Sequence, residues 1–161
     1  MHADTLPPVS IRGFRPDDVG ALIDIFRSAV RDVARRDYTQ AQVSAWAPDV
    51  IDAAAWAARC ATRQTFVADI DRHPVGFTEL VSNGHLDMMY VDARHQGRGI
   101  ASALLAHAET AARDAGVVQL FTEASITARA FFERRGFELI APQVVCRRGQ
   151  DFINYRMTKS L

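Results

Sequence analysis

His85, Asp87 and Met89 alternate along His85-Leu86-Asp87-Met88-Met89-Tyr90-Val91, a stretch that reads as a strand. Alternate residues of a strand share one face. An imidazole and a carboxylate therefore stand side by side, each able to take a proton directly or through water. The plainer readings are a solvated histidine beside a turn and an aspartate accepting backbone bonds. Shortly afterwards comes Gln96-Gly97-Arg98-Gly99-Ile100-Ala101, and then Ser102 to Ala115, rich in Ala and Leu with apolar residues at helical spacing. Strand, two-glycine loop and helix together bind phosphate. The glycines admit close approach, and the free N–H groups and dipole of the first helical turn attract anions.

Such a loop has rival uses. A P-loop requires Gly-x-x-x-x-Gly-Lys-(Ser/Thr), and the only lysine of the chain is Lys159. A dinucleotide fingerprint requires a third glycine where Ser102 stands, although Glu123 is placed to serve as its ribose-binding acid. A hairpin precedes the loop, and too little chain follows it for a doubly wound sheet. A glycine turn without a ligand is the remaining alternative.

The elements that position these groups are legible from periodicity and punctuation. Val9 to Phe14 reads as a strand. Pro16, Asp17 and Asp18 open a helix that Leu22, Ile25, Phe26, Ala29 and Val33 carry to about Arg36. Thr39-Gln40-Ala41-Gln42 is a capping box for a second helix that Pro48 stops, and a third helix holds Trp56 and Cys60. Gln64 to Ile70 and Val75 to Val81 read as strands, and Asn83-Gly84 turns the second into a hairpin with His85 to Val91. Gly116 closes the helix after Gly99, and Val117 to Thr122 is a short buried strand. Ile126 to Arg135 reads as the last helix, followed by strands near Phe137 to Val145 and Ile153 to Thr158. This order predicts an α+β fold: a mixed, mostly antiparallel sheet with one parallel β-helix-β crossover, flanked by helices.

A chain of 161 residues with 19 basic and 19 acidic side chains reads as one domain, residues 1–161, with no net charge. That balance disfavours nucleic acid, a membrane surface or a large polyanion as partner. No apolar run approaches the roughly 20 residues of a membrane span. Met1 to Ser10 lacks the pattern of a secretory signal. Cys60 and Cys146 have no metal-ligand spacing, so the expectation is a reducing cytoplasm and free thiols.

Gln96, Gly99 and Ala101 fill the three specified positions of (Gln/Arg)-x-x-Gly-x-(Gly/Ala). The chain thereby resembles the GNAT superfamily of N-acetyltransferases, whose fold has this order of elements and whose loop holds the acetyl-CoA pyrophosphate. Ser125-Ile126-Thr127-Ala128-Arg129-Ala130-Phe131-Phe132-Glu133-Arg134-Arg135-Gly136-Phe137 is similar to the family segment Asn-x-x-Ala-x-x-x-Tyr-x-x-x-Gly-Phe. Ala128, Gly136 and Phe137 match, whereas Ser125 stands at the Asn and Phe132 at the Tyr. With the segment around Asp87, that pair of departures resembles a bacterial branch, YafP-like, in which Ser and Phe are usual. The resemblance spans essentially the whole chain and is least diagnostic over the first three helices.

The resemblance implies acetyl-CoA as co-substrate, without a metal. It places Met89, Tyr90 and Val91 along the pantetheine arm, and Gln96, Gly97, Arg98, Gly99, Ile100, Ala101 and Ser102 at the pyrophosphate. Ser125 and Phe132 lie beside the arm. It also implies direct attack by an amine on the thioester. The usual Tyr protonates the departing thiolate, which Phe132 cannot do. A thiol of pKa ~8.5 needs roughly 2 kcal/mol of help at pH 7, whereas presenting an alkylamine of pKa ~10.4 as neutral costs roughly 4.6 kcal/mol. The base therefore matters more than the missing acid. Asp87, one step closer to the acetyl group, ranks first; His85, where many relatives carry Glu, ranks second; Glu123 ranks third. Water or Tyr155 is the candidate replacement acid. Tyr38, Trp46 and Trp56 are either walls for the acceptor, a small-molecule or peptide amine, or core packing, and the chain is expected as monomer or homodimer. The alternative function is a catalytically weak CoA-binding or regulatory domain, which Phe132 favours and the His85–Asp87 face opposes.

Overall fold

The computed structural model describes residues 7–161, so the readings of Met1 to Leu6 lie outside it. β1 (Val9–Gly13), β2 (Gln64–Ile70), β3 (His73–Leu80) and β4 (Leu86–Val91) form one antiparallel sheet in that order. Between β1 and β2 lie α1 (Val19–Ser28), α2 (Gln40–Trp46) and α3 (Ala53–Thr62). α4 (Ile100–Asp114) leads to β5 (Gln119–Ser125), then α5 (Arg129–Arg134), β6 (Glu138–Arg147) and β7 (Gln150–Ser160). These last three strands form a second antiparallel sheet in the order β5-β7-β6.

The single mixed sheet expected from the sequence is therefore split in two. β4 and β5 meet at one isolated parallel bridge, His85 to Phe121. The Phe121 N–H reaches the Gly84 carbonyl at 3.0 Å. Beyond that point the Thr122 hydroxyl donates to the Leu86 carbonyl at 2.8 Å, taking an acceptor that a continuous ladder would offer to a backbone N–H. The strands then diverge, and the far edge of β4 has no strand partner among the described residues.

Gly84 sets how closely the two sheets approach. Its φ of +92° suits glycine, and a Cβ there would stand 2.3 Å from the Gln119 carbonyl oxygen. One core lies under α1, α2 and α3, where Leu22, Val30, Val43, Cys60 and Phe77 pack with Phe152 of the second sheet. Another lies under α4, where Leu105, Ala108 and Ala112 meet Leu86, Leu120 and Met157. Each core draws on both sheets, which fixes the angle between them.

Two helices differ from expectation. α1 stops at Ser28 and continues as a wider π turn, Ala29–Val33, and a 3-10 turn, Ala34–Arg36. The last helix begins only at Arg129. The preceding Ile126 N–H is taken by the Tyr38 hydroxyl, the Thr127 hydroxyl by Asp37, and the Ala128 N–H by Ser125. The Thr39–Gln42 capping box forms as expected, with the Gln42 N–H 3.1 Å from Oγ1 of Thr39. Gly116 (φ +78°) closes α4, with Val117 N–H bonded to the Ala112 carbonyl.

Arg12 ties β1 to β2 and to the start of α1. It is bidentate to Asp18, both bonds 2.8 Å, and its Nε is 2.6 Å from Asp69. Both carboxylates are buried. Burial alone would raise the Asp18 pKa, but Arg12 and the Arg15 amide outweigh it and hold the group below its ordinary 3.8. The stabilisation is therefore present above that value and lost as pH falls through the lower folded one. Arg12→Met should cost about 3–5 kcal/mol by leaving two buried carboxylates unpaired. Urea unfolding at pH 7 measures the loss; a change under 1 kcal/mol would mean that the carboxylates find other partners.

Candidate active site

The loop after β4 is built from its own polar side chains. Asp92 accepts the Arg94 N–H at 2.8 Å, and Gln96 Nε2 donates to the Val91 carbonyl at 2.8 Å. The Gln96 side chain thus splints the loop to the strand. Gly97 and Gly99 have φ of +74° and +76°, a conformation that side chains disfavour. Apart from their chain neighbours, no atom of the described residues lies within 4 Å of where either Cβ would stand, so both face open space. The N–H groups of the first turn of α4 have no intrahelical partner.

These groups open into a cavity of about 480 Å³. Gln96, Gly97, Gly99, Ile100, Ala101 and Ser102 line it, and so do Met89, Tyr90 and Val91. Ile100 also packs, almost fully buried, with Leu104, Ala68 and Val75. The Arg98 side chain is exposed between the two glycines and is not among the residues lining this cavity. Two further cations that the sequence reading missed, Arg134 and Arg135, do line it. Arg135 donates to the Ser102 hydroxyl and lies 4.5 Å over the Phe131 ring. Their signal was available, two cations just before Gly136, but not that α5 faces the start of α4. The π turn supplies Ala29, Val30 and Val33 to the same cavity, as a departure from regular helix often does beside a site.

A second cavity, about 380 Å³, lies between the diverging sheets. Trp46, Met89, Tyr90, Ser125, Ala128 and Phe132 line both cavities, so the two meet there. Phe132 is buried, edge-on to Phe131 at 5.2 Å and to Phe137 at 5.0 Å. Ser125 ends β5, and its Oγ accepts the Ala128 N–H at 3.0 Å. Burial pushes the Tyr90 phenol up to about 12, with Phe26 edge-on at 5.0 Å.

His85, Asp87 and Met89 all line the second cavity, as the alternation predicted. Their partners were not foreseen. His85 Nε2 is 2.5 Å from Glu123 Oε2, and its ring stacks on Phe121 at 4.7 Å. Asp87 sits at a bulge, where β4 has one residue more than β3, and is paired with Arg63. Arg63 also reaches Glu79 at 3.2 Å, and Arg59 holds Glu79 at 3.0 Å. Glu79 is fully buried on the opposite face, as the turn register implied. Tyr155 requires correction: strand alternation turns it away from the cavity that Phe152 and Asn154 line, and it packs under Arg129 at 4.5 Å. Of the three aromatics, Trp56 takes the core-packing alternative, with Arg59 over its ring at 4.4 Å. Cys146 is exposed and lines neither cavity.

The family of the acetyltransferase (GNAT) domain matches residues 34–159. The chain belongs to the GNAT acetyltransferase family. It is thus an acyltransferase. Its likeness to the uncharacterized N-acetyltransferase YafP of Escherichia coli K12, 39% identical over 92% of this chain and 94% of YafP, sets this GNAT protein in the YafP-like branch. The crystal structure of a GCN5-related N-acetyltransferase from Rhodopseudomonas palustris is 32% identical, with a TM-score of 0.92 over 98% of this chain and 97% of that one. PaiA N-acetyltransferase from Thermoplasma acidophilum, solved with coenzyme A, shares the GNAT fold at a TM-score of 0.81 and 16% identity, over 96% of this chain and 99% of that one.

The two carboxylates held by Arg63 differ in burial, and so in what their removal costs. Glu79→Ala should destabilise by about 3–5 kcal/mol, because Arg59 and Arg63 lose a buried counter-charge. Asp87→Ala should cost about 1 kcal/mol or less, because its pair is partly exposed. Chemical denaturation of both variants measures the difference, and equal losses would show that Asp87 is as structural as Glu79.

Proposed function

We propose that this GNAT protein transfers the acetyl group of acetyl-CoA to the amine of a small molecule or peptide, by direct attack of the amine on the thioester. One observation carries the reading: two cavities meet at a shared wall of Met89, Tyr90 and Phe132. A donor and an acceptor held in them would meet there, which removes most of the entropic barrier to reaction.

The larger cavity fits a pyrophosphate and its arm. Gly97 and Gly99 leave room where side chains would stand, and the first-turn amides of α4 face that room. Arg134 and Arg135 add positive charge. The edge of β4 that β5 abandons offers the backbone N–H groups of Met89 and Val91, since that of Tyr90 faces β3, which suits them to polarise a thioester carbonyl.

For the base, the geometry favours His85 with Glu123 over Asp87. Asp87 is engaged by Arg63, whereas His85 and Glu123 form a hydrogen-bonded pair on the cavity wall. In this arrangement His85 takes the amine proton, and Glu123 orients the ring and stabilises the imidazolium. Phe132 offers no proton to the departing thiolate, which water must then protonate.

Gly99→Asp should lower acetyl-CoA affinity at least tenfold, because it sets a carboxylate where phosphate would lie. Calorimetry on the folded variant checks this, and unchanged affinity would remove the loop from donor binding. With a strongly basic amine, His85→Gln and Glu123→Gln should each lower kcat/KM by roughly 10²–10⁴, the range for a general base, and Asp87→Asn by much less. Rates from pH 6 to 9 decide between them; a larger loss in Asp87→Asn would return the base to Asp87. The absence of a hydroxyl at Phe132 also favours a weakly catalytic CoA-binding domain. Acetyl-CoA binding without turnover of any amine in a broad panel would establish that reading.

A further inference from the structure

The wall of the 380 Å³ cavity has a direction. Ser125 of β5, Asn154 of β7 and Gln143 of β6 pair across the second sheet at one level, next to the junction with the larger cavity. Val145 and Phe152 form the next level, and Arg147 pairs with Gln150 at the end of the hairpin. Gln143, Val145 and Arg147 all line the cavity. Four residues of strand, about 13 Å, separate the Asn154 level from the Arg147 level.

Each level has its own chemistry. At the junction end, Asn154 Oδ1 is buried and has no hydrogen-bond partner among the described residues. A buried acceptor left unpaired is unfavourable, and it calls for an N–H from a ligand. His85 and Glu123 line the same cavity. In the middle, the rings of Tyr38, Trp46 and Phe152 meet edge-on or tilted, Tyr38 to Trp46 at 5.3 Å and Trp46 to Phe152 at 6.1 Å. Tyr38 is pinned by donating to the Ile153 carbonyl and accepting the Ile126 N–H, both at 2.9 Å. All three rings line the cavity, Tyr38 and Phe152 largely buried and Trp46 partly exposed, so they offer an apolar aromatic wall to a ligand ring. At the far end, Arg147 forms no hydrogen bond or ion pair among the described residues. An unpaired guanidinium facing a cavity is suited to a carboxylate or phosphate.

From this order we infer that the acceptor is an arylalkylamine whose ring carries an anionic group at the end away from the amine. The inference rests on the acetyl-transfer reading for what happens to the amine, but the ligand class follows from the cavity alone. The amine lies at Asn154 and His85, the ring among Tyr38, Trp46 and Phe152, and the anion at Arg147.

The matched probes are 4-(2-aminoethyl)benzoate and 2-phenylethylamine, which differ only in the carboxylate. The wild-type protein should bind the benzoate at least tenfold more tightly by calorimetry and acetylate it with the higher kcat/KM, the difference lying in KM. Arg147→Gln should bring the ratio between the two probes close to one, and Arg147→Lys should retain part of it. Asn154→Leu should weaken both probes and leave their ratio intact. Equal binding of the two probes to the wild type, or an undiminished ratio in Arg147→Gln, would overturn the inference. Preferential binding of the benzoate without acetylation of either amine would uphold the ligand class and count against acetyl transfer.

Discussion

The place where β4 and β5 stop pairing governs the rest of this structure. One parallel bridge at His85 and Phe121 holds the sheets together, and the Thr122 hydroxyl then satisfies the Leu86 carbonyl. Because a side chain closes the account of that buried carbonyl, the strands separate without leaving it unpaired. The separation exposes the edge of β4 and opens the smaller cavity between the sheets. It also sets His85 against Glu123, residues 38 apart in sequence, at the point where the sheets part.

Much of this was legible in the sequence because it is local. The capping box, the Asn83-Gly84 turn, the Gly116 stop and the alternation of His85, Asp87 and Met89 depend on neighbours within a few residues. The glycine loop was legible for the same reason, since its function lies in backbone geometry. What could not be read depends on distant partners. Nothing near Asp87 announces that Arg63 claims it, and nothing near Ser102 announces that Arg135 reaches it from α5. Tyr155 was misplaced because the face a strand residue presents depends on register against distant strands, here Ala124 of β5 and Pro142 of β6. The split of the sheet was equally hidden, since a β-helix-β order specifies adjacency but not the length of the ladder.

Charge is spent locally in this protein. With 19 basic and 19 acidic residues, the chain has no net field to draw a ligand from afar. Its carboxylates at Asp18, Asp69 and Glu79 are instead locked to arginines inside the fold. Arg134 and Arg135 line the larger cavity and Arg147 the smaller, while Phe132 and Tyr90 line both.

Gly84 carries a consequence beyond its own turn. Because its backbone lies against the Gln119 carbonyl, the hairpin and the second sheet are in direct contact with no side chain between them. Any residue larger than glycine there acts as a shim at the hinge side of a wedge. Thickness added at that point would tilt the whole second sheet, moving Glu123, Asn154 and Arg147 together and stretching the His85–Glu123 pair that spans the two sheets. The gauge of the cleft is thus adjustable at a position that touches no ligand, and variation in acceptor size across such a fold has a route that leaves every wall residue unchanged.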